Sequence, residues 1–178
     1  MPSELRSVLP SCLSRSPDRK TEEADHEPSS RPVRHAAQRT PGLTLKPTIL
    51  HSAQWVTFTE QWDPKSPWAD RRVRLAANLA MGRKAINQAE TLGFSRITAT
   101  LIPHSFEYAW QPPLYPFDPA RAKKLLAEAG YPNGFLAGEL SVDNAYASVA
   151  EAVVNYLGAA EITAKLRPLE RAAFFTQY

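Results

Sequence analysis

The sequence predicts an α/β fold, with helices packed on a small mixed sheet. Three observations point there. All 17 aromatic residues fall at or after Trp55, so the apolar surface that builds a core is concentrated in the later part of the chain. From Phe135 to the end, strand-like and helix-like segments follow one another in the order β-α-β-α, which favours parallel strands joined by a crossover helix. One helix, over Asp118–Gly130, has its start, its apolar face and its stop all written locally. The length of 178 residues suits one ordinary domain.

Residues 1–47 contain no Phe, Trp or Tyr, hold seven prolines, and show neither helical nor strand period. Such a segment buries too little apolar surface to offset the ~1–2 kcal/mol per residue that backbone ordering costs. It is expected to be disordered and unrelated to residues 48–178, which form the folded part. The acidic residues Glu22, Glu23, Asp25 and Glu27 interrupt its positive charge, which argues against a basic arm for anionic partners.

The elements then follow in order. Ile49–Thr59 (ILHSAQWVTFT) is rich in β-branched and aromatic residues and reads as extended. The proline-punctuated EQWDPKSPWADRR leads into a helix. Ser66 caps it with Pro67 in the first position, or Asp70 caps it slightly later. The helix is RRVRLAANLA, with Leu75 and Leu79 one turn apart and Ala76 and Ala80 beside them. Arg71, Arg72 and Arg74 at its start oppose the helix dipole, which calls for a compensating group such as a carboxylate.

In DPARAKKLLAEAG, Asp118 is the N-cap and Pro119 takes the first helical position. Ala122, Leu125, Leu126 and Ala129 form the apolar stripe, and Gly130 followed by Pro132 ends it. FLAGELSV reads as a half-buried strand on Leu136, Leu140 and Val142. A helix from about Ala145 presents Tyr146, Val149, Ala150, Val153 and Leu157, with Gly158 at its end. Ile162, Ala164 and Leu166 alternate as a short strand. Glu170–Phe175 begins a last helix.

Composition excludes several functions. One cysteine, Cys12, permits neither an internal disulfide nor a Cys-built zinc site. His26, His35, His51 and His104 are too scattered for a metal site, and no metal or other cofactor is expected. There is no nucleophile elbow, glycine-rich phosphate loop or H-E-x-x-H, so no catalytic residue is assigned and no enzyme is expected. Glu60 and Asp63 are better read as solvated or capping carboxylates than as an acid/base pair. No run approaches the ~18 apolar residues of a membrane helix, which leaves at most a peripheral association. The opening MPSELRSVLPSCLSRSPDRK makes a poor signal peptide, since its basic residues follow a broken apolar stretch. By that reading the cytoplasm is the alternative location. The net charge of +3 and the cluster Arg71, Arg72, Arg74, Arg83 and Lys84 suit a solvated face. They also admit a small nucleic-acid-associated protein, but no second helix follows at helix-turn-helix spacing, so no nucleic-acid partner is expected.

Three blocks in order carry a family resemblance. SPWADRRVRLAANLA, YPFDPARAKKLLAEAGYPNGF and VAEAVVNYLGAAEITAKLRPLERAAFF resemble successive parts of the second lobe of family 5 extracellular solute-binding proteins. These are the dipeptide- and oligopeptide-binding subunits of ABC importers. The resemblance covers about Thr48–Tyr178 and implies part of one lobe of a type II periplasmic-binding-protein-like fold. It implies capture of a small solute, a peptide, in the periplasm, with an ABC permease and its ATPase as partners. A truncated remnant without activity of its own is the alternative.

By the same resemblance, Trp55 and Phe58 lie on the segment that crosses between lobes beside the ligand cleft. With Tyr108 and Trp110 they are the candidate ligand-lining residues, the competing role being core packing. Trp62 and Trp68 are expected to cover the helix start. Two positions depart from the family pattern. Met81-Gly82-Arg83 stands where the family has Ile-Asp-Arg, with Gly the slightly poorer cap. Glu161-Ile162 replaces Gly-Ile, and if the first residue adopts positive φ, Glu costs ~1–2 kcal/mol there.

Overall fold

A computed structural model of the protein describes residues 36–46 and 52–177. Most of the segment expected to be disordered, residues 1–47, lies outside the described residues. Within it, residues 36–39 take a single helical turn.

Both proposed helix caps are used, in succession. Ser66 caps a 3-10 turn over Pro67–Ala69, accepting from the Trp68 amide at 3.2 Å. Asp70 then caps helix α1 (Arg71–Ala80), accepting from the Arg72 amide at 2.7 Å. Val73, Ala76, Ala77, Leu79 and Ala80 form its buried face. Helix α2 (Arg83–Thr91) follows after Met81 and Gly82. Residues 92–118 then run without regular structure to helix α3 (Pro119–Glu128).

Helix α3 is built as its sequence dictates. Asp118 accepts from the Arg121 amide at 2.9 Å, and Ala122 and Leu126 are fully buried against α1. At its end the Tyr131 amide donates to the Leu126 carbonyl at 2.8 Å, with Gly130 at φ 95°. This satisfies a carbonyl that the helix itself leaves unpaired. One backbone bond also joins the two helices end to end: the Asp118 amide donates to the Leu79 carbonyl at 2.9 Å.

Strand β1 (Phe135–Asp143), helix α4 (Ala147–Ala159) and strand β2 (Ile162–Leu169) form a crossover unit whose strands pair in parallel. The sheet among the described residues contains only this parallel pairing. Helix α5 (Arg171–Gln177) follows, its first amides, at Ala172 and Ala173, bonded to Glu170 Oε2.

The register shifts between Leu136 and Glu139, where Gly138 takes φ 76° and β1 gains an extra residue. Such a bulge exchanges the two faces of a strand. Phe135 and Ala137 therefore pack on the core together with Leu140, while Leu136 is 83% exposed. The strict alternation expected on Leu136, Leu140 and Val142 fails at its first member for this reason. The described part of the segment expected to be extended, residues 52–59, pairs with no strand among the described residues.

On α4 the expected face is buried at Ala150, Val153 and Leu157, but Tyr146 lies outside the helix and is exposed. Gly158 sits inside the last turn. The residue that reverses the chain is Glu161, in the left-handed region at φ 68°. Its carboxylate pairs with Lys123 Nζ at 2.9 Å across to α3.

The core joins α1, α3, α4 and the inner face of the sheet, with Leu79, Leu126, Ile162 and Val73 fully buried. Four aromatic rings extend it. Phe58 stacks on Trp68 at 4.5 Å, Trp68 meets Phe135 edge-on at 5.2 Å, and Tyr131 lies 5.2 Å from Phe135. Trp68 thus covers the helix start as expected, whereas Trp62 is 84% exposed.

Gly82 is buried beneath Tyr156 of α4: a Cβ there would come 2.5 Å from the ring. Tyr156 in turn meets Phe117 edge-on at 5.6 Å. The Gly in place of Asp therefore has a packing cause, because a larger residue would displace the ring.

Candidate functional site

The four aromatic candidates do not converge. Phe58 is half-buried and stacks on Trp68 in the ring cluster. Trp55 is exposed on the irregular segment before it. Tyr108 and Trp110 are exposed in the long connection between α2 and α3, and Tyr108 has left-handed backbone at φ 60°.

A shallow groove does form beside Phe58. It lies between residues 56–60 and β1, is lined by Val56, Phe58, Glu60, Trp68, Ala137 and Leu140 among others, and holds about 110 Å³. Pockets that enclose a small molecule usually run ~300–1,000 Å³, so this groove is one side of a site and not an enclosure. Gly138, at the β1 bulge, is among the residues that line it.

The basic cluster is largely committed to the chain itself. Arg72 Nη2 pairs with Asp70 Oδ2 at 2.6 Å, and its Nη1 donates to the Glu128 carbonyl at 2.7 Å. That places positive charge on the C-terminal end of α3, where the dipole favours it. Asp70 is thus the compensating carboxylate that the arginine-rich helix start required. The Arg72 side-chain hydrogen bond holds its carboxyl below the usual range, against some opposing desolvation.

Arg74 Nη1 donates to the Trp68 and Ala69 carbonyls. Arg83 donates to the backbone and side-chain oxygens of Asn78 at 2.9 and 2.8 Å, and burial pushes its guanidinium pKa down. Arg71 and Lys84 remain exposed. A face in which three of five cations bind their own chain offers little to a phosphate backbone.

One ionic pair was not legible in the sequence. Asp143 ends β1 and is buried, with its side chain 6% exposed. Its Oδ1 accepts from the Ala145 amide at 3.0 Å, and its Oδ2 lies 2.9 Å from Nε of Arg171 at the start of α5. The pair stands at the carboxyl ends of both parallel strands, the end at which open α/β sheets take their ligands. An acid closing a strand was visible as a turn signal, but its partner becomes apparent only once β1 and β2 are paired.

Among the described residues, no three His, Cys, Asp or Glu side chains gather as metal ligands, and no helix is long and apolar enough to cross a membrane.

Comparison with known proteins places this geometry. Residues 16–178 match the model of the bacterial extracellular solute-binding proteins, family 5. The glutathione-binding protein GsiB of Pectobacterium atrosepticum is 34% identical over 93 residues, which is 52% of this chain and 17% of that protein. GsiB of Salmonella choleraesuis is 38% identical over the same shares. Among solved structures, the periplasmic binding protein DppA of Helicobacter pylori in complex with the peptide STSA superposes with a TM-score of 0.57. Its identity is 26%, over 64% of this chain and 22% of DppA. HbpA2 of Haemophilus parasuis gives 0.54 at 30% identity, over 64% of this chain and 24% of that one. The chain thus spans less than a fifth of the length of these curated relatives and about a quarter or less of these solved ones. The fold they share with it is that of type II periplasmic binding proteins.

Proposed function

This chain belongs to the bacterial extracellular solute-binding proteins of family 5, and from that premise we propose that it supplies one wall of a cleft capturing a peptide or a peptide-like solute such as glutathione. The capture serves an ABC importer in the periplasm, with a permease and its ATPase as partners. The observation that carries this reading is the family match over residues 16–178, on a fold like that of a peptide-bound relative. Proteins of this family bind and release a solute without altering it, which agrees with the lack of catalytic motifs in the sequence.

The wall runs along the groove at Phe58, with Trp55 exposed on the same segment and Tyr108 and Trp110 exposed on the long connection. Bound small molecules commonly lose ~70–90% of their surface, and one wall provides only part of that burial. Polar contacts on the open side compete with water and contribute little net free energy. The chain by itself is therefore a weak binder.

Calorimetry against di- to pentapeptides and glutathione tests this. Weak, saturable heats are expected. A dissociation constant at or below the micromolar range would overturn the one-wall reading. The second reading, a remnant without activity of its own, is favoured by the small volume of the groove. It predicts no saturable binding at any concentration.

A further inference from the structure

We propose that Asn133 is a site of self-modification, at which the side-chain amide is lost and the turn between α3 and β1 is irreversibly opened. Asn133 is the one asparagine of the chain that precedes a glycine. Glycine has no side chain to shield its nitrogen, so that nitrogen can approach the preceding Asn side chain closely. Asn133 and Pro132 are both exposed, which gives water and base access to the turn.

The step is an attack within the chain. The Gly134 nitrogen gives its proton to solvent base and forms a bond to Cγ of Asn133. The bond from Cγ to the side-chain nitrogen breaks, and ammonia leaves after taking a proton from water. Water then opens the five-membered imide at either carbonyl. Opening at Cγ gives aspartate. Opening at the backbone carbonyl gives isoaspartate, whose main chain runs through Cγ and is one carbon longer.

The fold controls both the rate and the result. In the turn over residues 131–134 the Gly134 amide donates to the Tyr131 carbonyl at 3.0 Å, and Pro132 holds the second position with its fixed φ. The attacking nitrogen is therefore engaged while the turn is closed, and reaction proceeds from its locally opened form. Packing then prevents reclosure. Gly134, at φ 72°, lies so near Glu161 that a Cβ would collide with the Glu161 carbonyl oxygen. A longer main chain has no room there. The next bond, from the Phe135 amide to that same carbonyl at 3.1 Å, is lost with it, and β1 separates from β2 at its first residues.

The full chain is incubated at mildly alkaline pH, folded and in urea, and conversion at Asn133 is followed by peptide mass spectrometry. An isoaspartate-specific methyltransferase distinguishes the two products. Conversion in the folded chain should be about fivefold slower than in urea, the factor by which one hydrogen bond of ordinary net strength keeps the turn closed. The isoaspartate fraction, separated by ion exchange, should unfold at lower denaturant than the parent. Asn133→Asp adds the charge without the extra carbon and should unfold with the parent, while Asn133→Ser should not convert.

An intact Asn133 in the folded chain, after the unfolded chain has converted completely, would overturn the proposal. So would equal rates in the two states, an isoaspartate fraction as stable as the parent, or equal destabilisation by Asn133→Asp.

Discussion

Glu161 occupies left-handed backbone at φ 68°, where a side chain other than Gly, Asn or Asp costs ~1–2 kcal/mol. Its compensation is the contact with Lys123, but both side chains are about half exposed, and such a pair returns at most ~1 kcal/mol. Glu161→Gly should therefore stabilise the protein by ~0.5–1 kcal/mol in chemical denaturation. Unchanged or lower stability would mean that the ion pair outweighs the strain. The conditional cost was legible in the sequence because the family pattern has Gly there. The Lys123 partner was not, because it comes from a different helix.

Asp70 makes a second argument at the same scale. Its hydrogen bond from Arg72 lowers its pKa, so its contribution is present above the unfolded-state value near 4 and is lost as pH falls through the lower folded value. An acid titration of helix content should show the Asp70→Asn variant losing less stability than the parent below about pH 4. Identical acid profiles would place the effect elsewhere.

At the scale of elements, α3 was legible in full because every signal that builds it is local. Asp118→Ala should cost ~1 kcal/mol of stability by thermal or chemical unfolding, the usual loss of an N-cap. No change would mean that the Asp118–Arg121 bond contributes nothing net. Elements that depend on distant partners were read less well. Residues 52–58 have strand-like composition yet pair with no strand among the described residues, since composition favours a pleat without supplying a neighbour. In β1, Gly138 was the available sign of a bulge, but its effect on the phase of Leu136 follows from the pairing with β2. Gly158 looked like a helix end by residue type, and the turn was displaced to Glu161 by how α4 meets β2. The candidate site follows the same division. Phe58 and Trp55 could be placed on one segment from sequence, whereas Asp143 and Arg171 meet only through the parallel register.

For the molecule as a whole, the balance of surface is unusual. Trp55, Trp62, Leu101, Phe106, Tyr108, Trp110 and Leu136 are each at least half exposed. Where such side chains adjoin, exposed apolar area beyond a few hundred Å² favours association. The protein should therefore self-associate as its concentration rises, and size-exclusion chromatography with light scattering over a dilution series would show it. A strictly monomeric species at every concentration would count against that.

The bond from the Asp118 amide to the Leu79 carbonyl has a further consequence. It brings together the two points at which the chain leaves and re-enters the packed helices, so everything between them is an excursion from a closed neck. Within the excursion, α2 is fastened by Ser148 bonding to Glu90 at 2.7 Å, while much of residues 99–110 is exposed. A peptide bond cut in that outer stretch leaves each fragment carrying one strand of the neck and its own share of the core. A protease should thus yield two bands under denaturing conditions and a single particle of unchanged size under native ones. Separation of the fragments without denaturant would show that the neck holds only while the chain is continuous.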